Sequence, residues 1–185
     1  PDGEVVRKLY ERLVLCARGG ALATETRLEI RFEGGIREIL PNNSLSQVTM
    51  QNRKEICDLK YDESETEFAL KLQSTLDSPG QLSSILEIDD KSGTVGKGST
   101  DVGDVSWQVP TTGFTTACWV PGTPAHSWQA VAAGGSSIGR KGLNLAARVL
   151  AASAWDLYLK PELLRDGKLE HARRISDRGY RSLMV

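Results

Sequence analysis

Apolar residues that recur every three or four positions predict helices in four parts of the chain. In the first helix, the apolar positions from Val5 to Cys16 share one side, with Asp2 or Gly3 as the N-cap and Gly19-Gly20 as the stop. Helices are also predicted over residues 44–57, 64–76 and 136–159. Ser64 and Glu67 have the spacing of a capping box at the start of the third.

Alternation of apolar and polar residues predicts strands elsewhere. Residues 28–32 and 36–40 alternate on either side of a Gly34-Gly35 turn, which predicts a hairpin with one face in water. The runs 105–109 and 115–120 are rich in β-branched and aromatic residues and predict buried strands. The composition changes at residues 41–43, so we predict a domain over residues 1–42 and another over residues 43–185.

Composition narrows the class of protein. The 185 residues are 39% apolar and 25% charged, which suffices for a core and a solvated surface. With 23 basic and 24 acidic residues the net charge is −1, which argues against nucleic acid and a membrane surface as partners. Three widely spaced cysteines are typical of reduced thiols, so we expect a cytoplasmic protein. Because the sequence opens at Pro1 without Met, we expect it to be part of a longer protein.

The segment from Gly98 to Trp107 is the first candidate for chemistry. It places Ser99, Thr100 and Asp101 on a glycine-broken loop before an apolar run. Small residues allow a ligand to approach the backbone, and hydroxyl groups can donate to a carboxylate. An ordinary polar loop that leads into a strand explains the same pattern equally well.

The second candidate is His126, which follows the Pro121-Gly122-Thr123-Pro124 loop and precedes Trp128. A ring held between a rigid loop and a bulky side chain suits a metal ligand or a general base. The alternative is a histidine with a structural role. No other donor lies nearby in sequence, so a metal site would need partners from distant segments or another chain. Ser127 is not a suitable nucleophile, because adjacent residues do not give the geometry of a Ser-His pair.

The third candidate, Gly134 to Gly142, only superficially resembles a phosphate loop. A P-loop requires Ser or Thr after its Gly-Lys pair, whereas Gly142 follows Arg140-Lys141 here. The segment therefore predicts a small-residue start to a long helix, packed beneath an active site. The basic tail after Pro161 predicts a solvated helix face, with an anion site as the alternative.

Together, the segments 98–107, 122–129 and 132–142 resemble the dinuclear metallo-amidohydrolase and carboxypeptidase family, which includes aminoacylases and carboxypeptidase G. The resemblance covers the whole chain. It implies an α/β fold: the C-terminal part of a zinc-peptidase-like catalytic domain with helices on a mixed sheet, preceded by half of an α+β lid or dimerisation domain. It also implies metal-dependent hydrolysis of the amide bond of an N-acyl amino acid such as p-aminobenzoyl-glutamate.

The resemblance assigns roles to few residues of this chain. His126 is the expected ligand of one of two zinc or manganese ions, and Ser99, Thr100 and Asp101 are expected at the substrate, with Asn42 as a further contact. The other ligands and the glutamate base are expected upstream of Pro1. No catalytic residue is therefore expected in this chain, which should neither act nor bind metal alone.

The exposed edge strand of the predicted hairpin over residues 27–40 can pair with a second copy, so we expect a homodimer, with a paired hydrolase subunit as a further expected partner. The alternative function is a non-catalytic binding or dimerisation module that keeps the scaffold without the chemistry.

Overall fold

The fold is helical. The computed structural model describes residues 2–96, 98–176 and 179–183, and within them no residue forms a strand. The α/β fold with helices on a mixed sheet is therefore wrong. The α-helices are α1 (Gly3–Ala23), α2 (Asn43–Ile56), α3 (Glu63–Gln73), α4 (Val102–Gln108), α5 (Trp128–Gly134), α6 (Ser137–Leu159) and α7 (Pro161–Ser176).

The four predicted helices are confirmed as α1, α2, α3 and α6, with differences at their ends. The stop predicted at Gly19-Gly20 is wrong, because a helix tolerates glycine at about 1 kcal/mol per residue. Helix α1 instead continues to Ala23, and the backbone N–H and hydroxyl of its C-cap residue Thr24 both donate to the Gly20 carbonyl. The capping box of α3 lies two residues earlier than predicted, between Asp62 and Glu65.

The predicted strand over residues 105–109 is mostly helix α4. Its buried residues are Gly103, Ser106 and Trp107, which are spaced as on one side of a helix. The apolar run at residues 84–88 overlaps a 3₁₀ turn, Leu82–Leu86. Short apolar runs do not distinguish a buried strand from a buried helix by periodicity, which explains the error at residues 105–109.

The predicted strand over residues 115–120 is irregular. The Cys118 N–H donates to the Thr116 carbonyl at 2.9 Å, which folds the backbone into a tight turn in place of an extended ladder. The Thr116 hydroxyl donates to the Gly142 carbonyl of α6, also at 2.9 Å. This segment is therefore held by the helix on which it lies.

The predicted hairpin over residues 28–40 is also wrong, because α4 side chains take backbone groups that a sheet would pair. These hydrogen bonds run from the Arg37 N–H to Asp104 Oδ2 (3.3 Å), from the Leu40 N–H to Ser106 Oγ (2.8 Å) and from Trp107 Nε1 to the Glu38 carbonyl (2.9 Å). A backbone group bonded to a side chain is satisfied without a neighbouring strand.

The chain divides into two compact units. The first unit comprises residues up to 42, 95–111 and from 167 onward. At its centre, the Arg37 guanidinium carbon lies 4.5 Å from the centroid of the Trp107 ring, a side chain that is 1% exposed. The His171 Nε2–H donates to the Ser106 carbonyl at 2.9 Å. Helix α1, in contrast to this buried centre, is almost entirely exposed: Gly3 is the only residue of this helix that is buried.

The second unit comprises Asn43–Thr94 and Thr112–Asp166. Its long helix α6 packs against α2 and α5 and supplies residues to two apolar clusters. The buried members are Ala69, Leu72, Val120, Ala133 and Ile138 in one cluster, and Leu59, Ile85, Leu145 and Val149 in the other. The division of the chain into lid and catalytic domains at residue 42 stays a prediction.

In the described part of the chain, no helix combines the length and the apolar character needed to cross a bilayer. Of the predicted basic tail, helix α7 ends at Ser176, and Arg178 lies outside the described residues.

Candidate functional site

His126 lies exposed in the second unit, on the loop that precedes α5. Its backbone φ is 59°, and Glu25 is the other non-glycine residue with positive φ in the described part of the chain. This left-handed conformation is uncommon for residues with a Cβ, although histidine adopts it more often than most. Residues held in such conformations concentrate at functional sites, where the surrounding structure maintains the strain.

The chain before His126 is fixed by a close approach of two loops. The Gly80 N–H donates to the Pro121 carbonyl at 3.1 Å, and Gln73 Nε2 donates to the carbonyls of both residues. Gly122 has φ 91°, and a Cβ there would lie 2.6 Å from the Ser78 carbonyl oxygen. A glycine is therefore required at this turn, and the predicted rigidity of the loop has a structural basis.

The chain after His126 is fixed by the N-cap of α5. The Ser127 hydroxyl accepts from the Ala130 N–H at 3.1 Å and donates to the Pro124 carbonyl at 2.8 Å. The Ser127 hydroxyl thus uses its oxygen to cap α5 and its hydrogen to bind the loop, which agrees with its rejection as a nucleophile. The backbone at His126 is held between this cap and the Gly122 turn.

An open hollow of about 460 Å³ lies beside the imidazole. Its lining combines the histidine with two indole side chains and the exposed side of α5: Trp119, His126, Ser127, Trp128, Ala130 and Val131. The role of Trp119 was not predicted from the sequence. Its position next to the buried Val120 fitted the alternation of a strand, and no other signal in the sequence pointed to it.

The segment with Ser99, Thr100 and Asp101 lies in the first unit, where all three residues are exposed. Asp101 is the N-cap residue of α4 by position, without a side-chain capping bond, and the Thr100 hydroxyl accepts from the Val102 N–H at 3.3 Å. His126 belongs to the other unit. The role of these three residues at a substrate stays a prediction.

Asn42 is 1% exposed, within the first unit. Its Nδ2 donates to the Gly167 carbonyl at 2.8 Å. The side chain therefore joins two segments of that unit, and its contact with a substrate stays a prediction.

The third motif segment starts α6, as predicted, with Ser136 as the N-cap. One turn later, Lys141 Nζ lies 2.5 Å from Glu65 Oε2, whose side chain is 3% exposed. Burial raises the pKa of Glu65, but the hydrogen bond from Lys141 and other bonds outweigh it, so the pKa lies below its usual 4.5. Burial, aided by the charges of Glu65 and Cys118, raises the pKa of the nearby Tyr61 to about 12. These groups form a charged, mostly buried cluster beneath the start of α6.

The described residues offer few side chains that could bind a metal ion together. A dinuclear centre needs several nitrogen, oxygen or sulfur ligands, since each zinc ion alone takes about four. His126 offers one imidazole, and the described residues contain no group of three or more His, Cys, Asp or Glu side chains that could hold an ion. The described residues therefore do not fit a complete dinuclear centre.

Comparison with known proteins relates the chain to a bacterial hydrolase. The chain is 32% identical, over 97% of its length, to one of the subunits of p-aminobenzoyl-glutamate hydrolase from Escherichia coli (strain K12). It spans 43% of the length of that protein. No protein-family model and no solved structure matches the chain. The resemblance inferred from the three motif segments is thus confirmed as far as it concerns a hydrolase: the chain is similar, over nearly all of its length, to part of this hydrolase subunit. The metallo-amidohydrolase class and the dinuclear metal centre stay predictions.

Proposed function

We propose that the chain forms part of an enzyme that hydrolyses the amide bond of an N-acyl amino acid such as p-aminobenzoyl-glutamate. The observation that carries the proposal is the exposed His126 ring, which lies beside a hollow on a segment that resembles the metal-binding motif of such hydrolases. The similarity to a hydrolase subunit supports the same class of reaction.

Within this proposal, His126 is one nitrogen ligand of a zinc or manganese centre. The remaining ligands lie outside the described residues, on further sequence of the same polypeptide or on another subunit. The held backbone at His126 fits this role, because it restricts the positions from which the imidazole can reach a metal.

The test uses the polypeptide that contains this chain and hydrolyses p-aminobenzoyl-glutamate. His126→Gly removes the imidazole and adopts positive φ without strain. We expect kcat/KM to fall by more than about a hundredfold, since even outer-shell partners of metal ligands are worth about 10–100-fold. Bound metal, measured by mass spectrometry, should also fall. Glu25→Gly, at the other positive-φ position, should change neither quantity. Unchanged hydrolysis by the His126 variant would contradict the proposal.

A second candidate function, a dimerisation module, is favoured by the surface of the first unit. Large apolar side chains of α1 remain exposed, among them Leu9 (55%), Leu13 (66%) and Leu15 (63%). Leu9 and Leu13 are one helical turn apart and so form adjoining exposed apolar surface, which is typical of protein interfaces. We infer that α1 pairs with a second copy of the chain, and the mass in solution tests this.

A further inference from the structure

Two tryptophans lie at opposite ends of the short helix α5. Trp128 is its first residue, and the indole nitrogen of Trp119 lies 3.8 Å from where a Cβ of Gly134, its last residue, would be. Both side chains line the hollow that contains His126, with Ala130 and Val131 between them. The imidazole therefore lies beside an apolar surface that is bounded by two aromatic side chains.

This surface is accessible to a ligand. Trp119 is 40% exposed, Trp128 is 61% exposed, and Val131 is 76% exposed. Within the described residues, neither indole stacks on another aromatic ring; the one such pair there is Tyr10 with Phe32. Flat aromatic faces that are open to solvent offer offset or edge-to-face contacts to a second ring, in addition to the burial of apolar area.

The size and chemistry of the hollow suit the acyl half of a small substrate. Its volume of about 460 Å³ falls in the range of ligand pockets, roughly 300–1,000 Å³. The indoles and Val131 provide apolar contacts, and among the described residues no acidic or basic side chain lines the hollow apart from His126 itself. An uncharged aromatic group fits this lining better than a carboxylate does, because a ring buries apolar area against the indoles, whereas the lining holds no Lys or Arg to pair with a carboxylate.

We propose that Trp119 and Trp128 bind the aromatic ring of an N-aroyl amino acid and thereby set the preference for aroyl over small aliphatic acyl groups. The inference rests on the proposed function, since it places the amide bond of the substrate beside His126. The two tryptophans are specificity-determining residues in this proposal: they hold the ring, and the adjacent amide bond lies beside His126.

The binding test uses the 185-residue chain and two ligands that share a glutamate half. p-Aminobenzoyl-glutamate carries the ring, and N-acetyl-glutamate does not. Calorimetric titration should give tighter binding of the aroyl compound. Trp119→Leu and Trp128→Leu should each reduce the ratio of the two dissociation constants by about threefold to tenfold, the value of one aromatic contact. Phenylalanine at either position should restore part of the ratio, since it restores a ring.

Trp155→Leu is the matched control. Trp155 is 63% exposed on α6 and does not line the hollow, so its replacement removes a similarly exposed indole from another place. It should leave the ratio unchanged. Equal affinity of the chain for the two ligands, or a ratio that survives in the double Trp119→Leu/Trp128→Leu variant, would overturn the proposal.

Hydrolysis by the complete enzyme separates this proposal from the one on which it rests. If His126→Gly abolishes hydrolysis but the double tryptophan variant keeps the wild-type preference for the aroyl substrate, the aromatic site is refuted and the hydrolase proposal stands. If the double variant loses the preference but His126→Gly hydrolyses normally, the aromatic site stands and the role of His126 is refuted.

Discussion

A single methyl group at Gly103 tests the packing of the first unit. Gly103 is buried in α4, and a Cβ there would overlap the Arg37 carbonyl oxygen and lie 3.0 Å from the Arg37 carbonyl carbon. Both atoms belong to the backbone, so neither can rotate away as the end of a side chain could. Gly103→Ala must therefore separate α4 from the segment that it binds.

The magnitude follows from two opposing effects. Alanine in place of glycine stabilises a helix interior by up to about 1 kcal/mol. Overpacking a tight contact costs about 1–3 kcal/mol, and the upper value applies here because the obstacle is backbone. The free energy of unfolding should fall by about 2 kcal/mol. At roughly 2–4 °C per kcal/mol for a chain of this size, the melting temperature should fall by about 4–8 °C.

Gly19→Ala is the matched control, because it makes the same chemical change inside another helix of the same unit. Apart from the adjacent residues and the backbone of its own helix, no atom lies within 4 Å of a Cβ at Gly19, so only the helix propensity remains. Its melting temperature should rise by up to about 4 °C. Thermal unfolding followed by circular dichroism measures both variants. Equal melting temperatures for the two would refute the close contact between α4 and Arg37.

Two further predictions concern charge and assembly. The pKa of Glu65 is lower in the folded chain than its ordinary value of 4.5, so its pairing with Lys141 stabilises the fold fully above pH 4.5. This stabilisation is lost as the pH falls through the folded-state pKa. Glu65→Gln should therefore lower the melting temperature at pH 7, and its difference from wild type should shrink below pH 4.5; a difference that stays constant down to about pH 3 would contradict this. Leu13→Glu should convert the inferred α1-mediated dimer to a monomer, whereas Lys8→Glu on the same helix should not, and light scattering measures the mass of each variant. A wild-type chain that is monomeric would refute the dimer.

Helix periodicity predicted the longest elements because it extends over many residues. Helix α6 was predicted from the spacing of five residues, Leu143, Ala147, Leu150, Ala151 and Trp155. All five are exposed, and the buried side of the helix instead carries Ile138, Leu145 and Val149. The first helix was predicted from the same pattern, although its apolar residues are mostly exposed. The pattern therefore predicts the type of secondary structure without saying which surface is buried.

The error at the predicted hairpin has a physical cause, which is that a strand needs a partner. Residues 36–40 alternate as a strand does, but their amides bind the side chains of Asp104 and Ser106. Those partners lie 66 and 67 residues away in sequence, and no local pattern reveals that their hydroxyl and carboxylate groups replace a neighbouring strand. Local alternation thus specifies an extended tendency, and tertiary contacts decide whether a sheet forms.

The candidate site was predictable only in part, for a related reason. His126 could be singled out because rigid loop residues precede it, and the Gly122 turn with its contact to Gly80 gives that rigidity a structural origin. Trp119 could not be singled out from the sequence, because its place beside the hollow depends on how the chain reverses between residues 120 and 128. That reversal places a residue from before the loop and one from after it at the two ends of α5. The sequence therefore predicts His126 as a candidate from its residue type and the rigid loop before it. The aromatic surface beside it depends on the path of that loop, so only the structure reveals it.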